Sequence, residues 1–489
     1  MGRDAPERNA LVDVNGDWRR RARPGHSVRV RDTGLTSKPP PAGPGFTLLA
    51  VLMLVGFVPL VVWYSTDAVA PRPGWELALL NATVSGARLA WVASSRTRHL
   101  FEMGVWLFNY VFLGLAPLAQ LRLGVDPLTT PALHHEYDAE ALALVLLYQI
   151  ALMVGSWGAG IRGSVVGRGV RDADPTRTLL VSTALLIAAG AFFFALGPQT
   201  VFSPRASRGA DAVGSLGCDP VIATIVSGMV QFGLLVAIVA QLRVRTTWGK
   251  GGLFRRCVLS ASVILLLAIV NPIGSARFTV GTVWLGLLAG VGLFASTTRY
   301  RWTVLAATLG FIFVFPILDS FRYSLGEVES FQGFLALTEP DYDGFGQLIN
   351  SVQFVGENGV SWGLQLLGVL LFWVPRSWWP NKPVDTGVLL ADYRGYGFTN
   401  LSAPMPAELF VNFGVPGLIV GSLAIGALLR AADAGSDRSL AQNGLPTVLG
   451  CVLPFYMVFL FRGSLLQATS NLAVMILVWI LASRGPRKH

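Results

Sequence analysis

Apolar runs, each near the length of a membrane crossing, recur along almost the whole chain with short polar segments between them. A helix needs about 20 consecutive apolar residues to cross about 30 Å of hydrocarbon. Runs at 46–65, 101–121, 139–161, 179–197, 220–242, 257–273, 278–296, 303–319, 409–429, 445–461 and 465–483 approach or meet that length. A weaker run, 76–94, carries Glu76, Asn81 and Arg88 and counts as a further span. The pattern predicts an all-α, polytopic membrane protein of about 12 transmembrane helices.

The charged positions orient these spans. Arg96 and Arg98, Arg162 to Arg177, Arg243 to Arg256, Arg299 and Arg301, Arg430 and Arg438, and Arg484 to Lys488 fall in every second connection. Short basic loops stay in the cytoplasm, so both termini are expected there. The alternation requires an even number of spans, which supports the weak run at 76–94. The remaining connections face outward: 122–138, 198–219, 274–277 and 320–408. The last is much longer than an ordinary loop, which favours function.

Four regions follow. Residues 1–45 form a basic cytoplasmic tail expected to be disordered. Residues 46–319 hold spans one to nine, and 320–408 form a large extracytoplasmic loop between spans nine and ten. Residues 409–489 hold spans ten to twelve and a cytoplasmic C-terminus. Within the loop, the apolar run from Gly363 to Val374 is too short to span and is predicted to be a re-entrant or interfacial helix. The acids from Glu327 to Asp343 read as a solvated face able to contact sugar hydroxyls.

Composition agrees with a membrane protein. The 489 residues are 53% hydrophobic and only 13% charged, against about 25% charged in soluble domains. The net charge of +10 does not point to nucleic acid, because Lys and Arg lie between apolar runs where topology accounts for them. Cys218, Cys257 and Cys451 lie in separate segments without metal-ligand spacing. There is no GxxxxGK[ST] loop and no HExxH, and the His134–His135 pair lacks a clear third ligand. No cofactor and no metal are expected.

Candidate chemistry gathers where charges meet outer span ends. The stretch 372–414 combines Arg376, Lys382 and Glu408 with three prolines and the Trp378–Trp379 pair; its alternative reading is an ordinary interfacial loop. Arg205, Arg208, Arg277, Arg322 and Arg462 also sit on the outward side, where the positive-inside rule disfavours arginine. Guanidinium binds phosphate through paired hydrogen bonds, so these cations suit a lipid diphosphate. Pairing with a nearby acid is the alternative for each. Glu408 and Asp319 are the candidate bases; Glu408 as a helix-capping acid and Asp319 as a partner of Arg322 are their alternatives.

FWVPRSWWPNKP followed by PAELFVNFG resembles the motif pair of Wzy-type oligosaccharide repeat-unit polymerases, the O-antigen polymerase family. The matching residues are Pro375-Arg376, Trp379-Pro380, Lys382-Pro383, Glu408 and Asn412-Phe413-Gly414, and NPIGSAR ending in Arg277 resembles a further family segment. The likeness covers about forty residues, and the basic tail departs from it. It implies a GT-C-like, metal-independent membrane glycosyltransferase in a bacterial plasma (inner) membrane. Donor and acceptor would be polyprenyl-diphosphate-linked glycans, the growing chain passing to the non-reducing end of a new unit. A chain-length regulator or a flippase is a candidate partner. A glycan ligase of the same class, or a lipid-linked oligosaccharide flippase, is the alternative function.

Overall fold

The computed structural model describes residues 40–66, 71–161, 172–205, 226–249, 251–318 and 333–484. The described chain is helical, without a strand and with one isolated bridge, Ala173 to Ser483. Each predicted apolar segment contains a helix: α1 (Pro44–Ser65), α2 (Trp75–Ser94), α3 (Leu100–Leu123), α4 (Asp138–Ile161), α5 (Pro175–Leu196), α6 (Val226–Trp248), α7 (Leu253–Ile269), α8 (Arg277–Gly290) and α9 (Thr297–Ile317). Among the described residues of the long connection lie three α-helices, α10 (Gly344–Asn358), α11 (Leu364–Leu370) and α12 (Thr386–Arg394). Then come α13 (Met405–Asn443), α14 (Val448–Arg462) and α15 (Leu465–Ala482). Among the described residues, eight helices are long and apolar enough to cross a membrane.

Burial sorts these helices into layers. α3 is buried along its length, against α2, α13 and α14. By contrast α1, α5 and α15 are mostly open and show Leu60, Leu180, Ile187, Phe194 and Leu481 to the outside. Apolar surface on that scale suits lipid rather than water. α13 packs most extensively on α4. A Cβ on Gly155 would stand 2.1 Å from the Leu423 carbonyl oxygen, and one on Gly426 would stand 2.2 Å from that of Leu152. Small residues at such crossings let helix backbones touch where no hydrophobic drive separates protein from lipid.

π-helical turns at Leu52–Phe57, Val111–Leu115 and Gly310–Val314 run into Pro59, Pro117 and Pro316. The wider turn accommodates a ring that would otherwise clash with the preceding turn.

Two expectations need correction. The charge pattern puts Arg430 and Arg438 in a loop after span ten, but α13 continues through both. The acids of the long connection do not form a uniformly solvated face, because Asp341 and Asp343 turn inward onto arginines. Glu327 and Glu329 lie outside the described residues, as does the tail over 1–39.

Candidate functional site

Arg277 owes its position to the turn before α8. Asn271 accepts the backbone N–H groups of Ile273 and Gly274 at 3.0 and 2.9 Å, and its amide donates to the Val201 carbonyl at 2.9 Å. This side-chain turn starts α8 at Arg277. The buried guanidinium donates to the Phe315 carbonyl at 2.8 Å, lies over the Phe315 ring, and pairs with Asp341. Glu339 is 4.0 Å away.

Arg462 ends α14 and reaches the same segment. Its Nε donates to the Asp341 carbonyl at 2.7 Å, and its Nη2 lies 3.1 Å from Asp343 Oδ1 and 3.5 Å from Asp341 Oδ1. Asp343 Oδ2 also accepts the Ser402 backbone N–H at 3.1 Å. Burial alone would raise the Asp341 carboxyl, but Arg462, Arg277 and Arg205 together hold it below the usual range. For Asp343 burial prevails over Arg462 and pushes the carboxyl up. Two of the arginines singled out in the sequence, Arg277 and Arg462, thus meet on one carboxylate, and the charge of a third, Arg205, acts on it.

Glu408 is bonded by Ser464 and Leu465, which follow Arg462 on the chain. It is 1% exposed. Its Oε2 accepts from Thr386 Oγ1 at 2.7 Å, and its Oε1 accepts from Ser464 Oγ at 3.3 Å and from the Leu465 N–H at 2.8 Å. Asp385, the N-cap of α12 through Val388 N–H, stands beside it and shares Ser464. Burial raises the Asp385 carboxyl.

The Asn-Phe-Gly segment after Glu408 is a docking platform. Asn412 Oδ1 accepts the Leu366 N–H at 3.0 Å, while its carbonyl accepts the Gly363 N–H at 3.2 Å. The Phe413 ring covers Gly363, where a Cβ would lie 2.6 Å from it. Gly414 takes φ 64° and ψ −155°, which breaks α13 below the platform; only glycine adopts that region readily. The short apolar helix expected from Gly363 is thereby α11, with Leu364, Leu367 and Leu370 exposed along it and Trp373 just beyond.

Arg376 and Lys382 tie together the loop between α11 and α12. Arg376 donates to the carbonyls of Lys382 and Pro383 at 2.6 and 3.3 Å. Lys382 returns the contact to Phe372 and Val374 at 2.7 and 3.0 Å. Burial and the neighbouring Arg376 hold its ammonium below the usual range. Arg208, Asp319 and Arg322 lie outside the described residues.

A cavity of about 350 Å³ runs from Arg277 between α3, α8, α9 and α14. Apart from Arg277 its described lining is uncharged, and includes Leu107, Gly281, Leu285, Ala307, Phe311 and Val458. Trp284, Leu288 and Val314 remain exposed along its rim, so it opens sideways toward lipid. The sequence places Asp341 and Asp343 in a solvated face rather than with the arginines, and it does not single out Thr386 or Ser464. Arg277 and Asp341 are 64 residues apart, and no local pattern pairs them. Comparison with protein families, with characterised proteins and with solved structures gave no match.

Proposed function

We propose that this protein polymerises polyprenyl-diphosphate-linked oligosaccharide repeat units at the outer membrane–water boundary. The observation that carries this reading is an apolar lateral cavity with buried Arg277 at its mouth, beside Arg462 and Arg205. A prenyl tail matches the cavity, and a diphosphate matches fixed guanidinium groups. Asp341 is the anion that gathers these arginines in the free protein, and the diphosphate takes over that role on binding. The motif likeness selects glycosyl transfer among reactions of lipid diphosphates. Twelve spans, with both termini cytoplasmic in a bacterial plasma membrane, belong to the same proposal.

In the transfer, a hydroxyl of the acceptor sugar attacks the anomeric carbon of the growing chain. The bond from that carbon to the diphosphate oxygen breaks, and the electron pair leaves with the diphosphate. Arg277, Arg462 and Arg205 stabilise the charge that develops there. Glu408 takes the hydroxyl proton. No metal is required, because arginine supplies the positive charge. A ligase would share these steps and differ in its acceptor.

Gly281 tests the reading, because a Cβ there meets nothing within 4 Å. Gly281→Leu projects a branched side chain into the cavity from an open Cβ position. Purified variant and wild type are compared on lipid-linked units for product length and KM. A KM raised about tenfold with unchanged Tm is expected; an unchanged KM overturns the placement of the tail. Polymer from lipid-linked acceptor alone separates polymerase from ligase.

A further inference from the structure

At the other end of the bundle, α2, α3, α4 and α13 close around a second group of charges. Arg88 of α2 donates to Glu102 Oε2 through Nε at 3.2 Å and through Nη2, and to Ser156 Oγ at 2.9 Å. Its guanidinium lies 4.0 Å over the Trp91 ring. Asp433 of α13 accepts the N–H groups of Phe101 and Glu102 at 2.7 and 3.2 Å, and so caps α3.

The His99 ring is fixed by its neighbours. Nε2 lies 2.8 Å from Thr97 Oγ1, and Arg430 Nη1 lies 2.9 Å from Nδ1 and 3.3 Å from Nε2, against the ring rather than on either lone pair. With Nε2–H donating to Thr97 Oγ1, Nδ1 keeps its lone pair for the interior. Around that lone pair stand Glu102 Oε1 at 3.6 Å and Asp433 Oδ2 at 3.8 Å. Glu102 is 1% exposed, and its Oε1 receives no hydrogen bond. A buried carboxylate oxygen left so is costly unless a cation meets it.

The geometry points to a divalent transition-metal site, of the zinc type, formed by His99 Nδ1, Glu102 Oε1 and Asp433 Oδ2. These atoms all lie within 4.8 Å of one another. One imidazole and two carboxylates form a familiar zinc ligand set, with bonds of roughly 2.0–2.2 Å. Such bonds leave neighbouring ligand atoms roughly 3.4 Å apart in a tetrahedron, so each oxygen closes on Nδ1 by a few tenths of an ångström, and the two oxygens close on each other by no more than about 1.4 Å. Water fills the fourth position. Two carboxylates balance the ion's charge, and Arg88 stays on Glu102 Oε2 to orient that ligand. Arg430 is the competitor: it is half-exposed, and it leaves the imidazole for water when the ion enters. The metal joins the start of α3 to the far half of α13 and takes no part in glycosyl transfer.

The test is zinc content and affinity of the tag-free, full-length protein in detergent, by mass spectrometry after dialysis and by titration. The expected result is one equivalent in the wild type, tetrahedral absorption bands when Co²⁺ replaces zinc, and a rise in Tm on loading. Arg430→Gln removes the competitor and should tighten binding at least tenfold. His99→Gln should lose the equivalent, whereas His135→Gln, in the separate outer cluster with Asp126 and Asp138, should keep it. Substoichiometric zinc in both the wild type and Arg430→Gln overturns the site, as does a full equivalent retained by His99→Gln. The Co²⁺ spectrum is read on the wild type and so needs no variant to fold.

Discussion

The backbone N–H of Leu465 donates to Glu408 Oε1 at 2.8 Å, so this acid caps a helix that begins 57 residues further on. Glu408 stands near the start of its own helix, yet the N-terminus it satisfies is that of α15. Capping and proton acceptance make different demands on the side chain, and substitutions can separate them.

Glu408→Gln keeps an oxygen for the Leu465 N–H and removes the base. It should cut polymer formation at least a hundredfold with Tm nearly unchanged. Glu408→Ala removes both functions and should cost a further 0.5–2 kcal/mol or so of stability, as lost caps do. The measurements are chain length on purified lipid-linked units and thermal unfolding in detergent. Wild-type polymerisation by Glu408→Gln would leave Glu408 as a cap alone and make Asp319 the next residue to test.

Asp341→Asn leaves Arg277 and Arg462 without the carboxylate between them. Charge-assisted bonds contribute roughly 1.5–3 kcal/mol, so Tm should fall. Inorganic diphosphate should restore much of the loss, because it returns negative charge to the same guanidinium groups. Failure of saturating diphosphate to raise the variant's Tm would separate these arginines from phosphate binding.

Arg376→Ala should loosen the turn between α11 and α12 rather than empty the diphosphate site. One of its two carbonyl contacts is exposed and the other part-buried, so the expected stability loss is about 1 kcal/mol. Limited proteolysis should cut near Trp378 faster, with the KM for lipid-linked units within about twofold of wild type. A tenfold rise in KM would return Arg376 to the diphosphate.

Gly414→Ala forces a side chain into a backbone region that only glycine occupies readily, at a cost of roughly 1–3 kcal/mol. The platform under α11 should shift, and hydrogen exchange at Leu366 should rise because its N–H is held by Asn412. Unchanged exchange there would mean that the break at Gly414 does not hold α11 in place.

Cysteines placed at Asp392 and Ala434, both exposed, report the sidedness of the bundle. In a background without the native thiols, an impermeant maleimide added to intact cells should label the first and spare the second. Labelling of both would overturn the proposed topology.

Helix positions were legible because each depends on an unbroken local run of apolar residues, and a helix lies in every predicted segment. The weak run at 76–94 is legible for a further reason. Its polar members find partners inside the bundle, Asn81 on the Leu142 carbonyl and Arg88 on Glu102. The arginine cluster was half legible. Topology marked Arg277, Arg205 and Arg462 as out of place, but the carboxylate that gathers them lies in a stretch of acids that reads as solvated. The contacts of Lys382 and Arg376 were not legible because both bind backbone carbonyls, which no sequence pattern distinguishes. The cap that Glu408 gives α15 depends on helix packing and has no local signature.

α3 carries Glu102, Asn109, Gln120 and Arg122, all buried, and much of its cover comes from α13 and α14 near the end of the chain. During synthesis this helix therefore reaches the bilayer hundreds of residues before its covering helices exist. Polar groups in hydrocarbon are costly until they find partners. The nascent chain must keep α3 beside the insertion machinery, or shielded by α2, until its last helices arrive. A stop codon just before α14 should thus yield a species cleared by quality control rather than a stable fragment, even though most of its helices would already be complete.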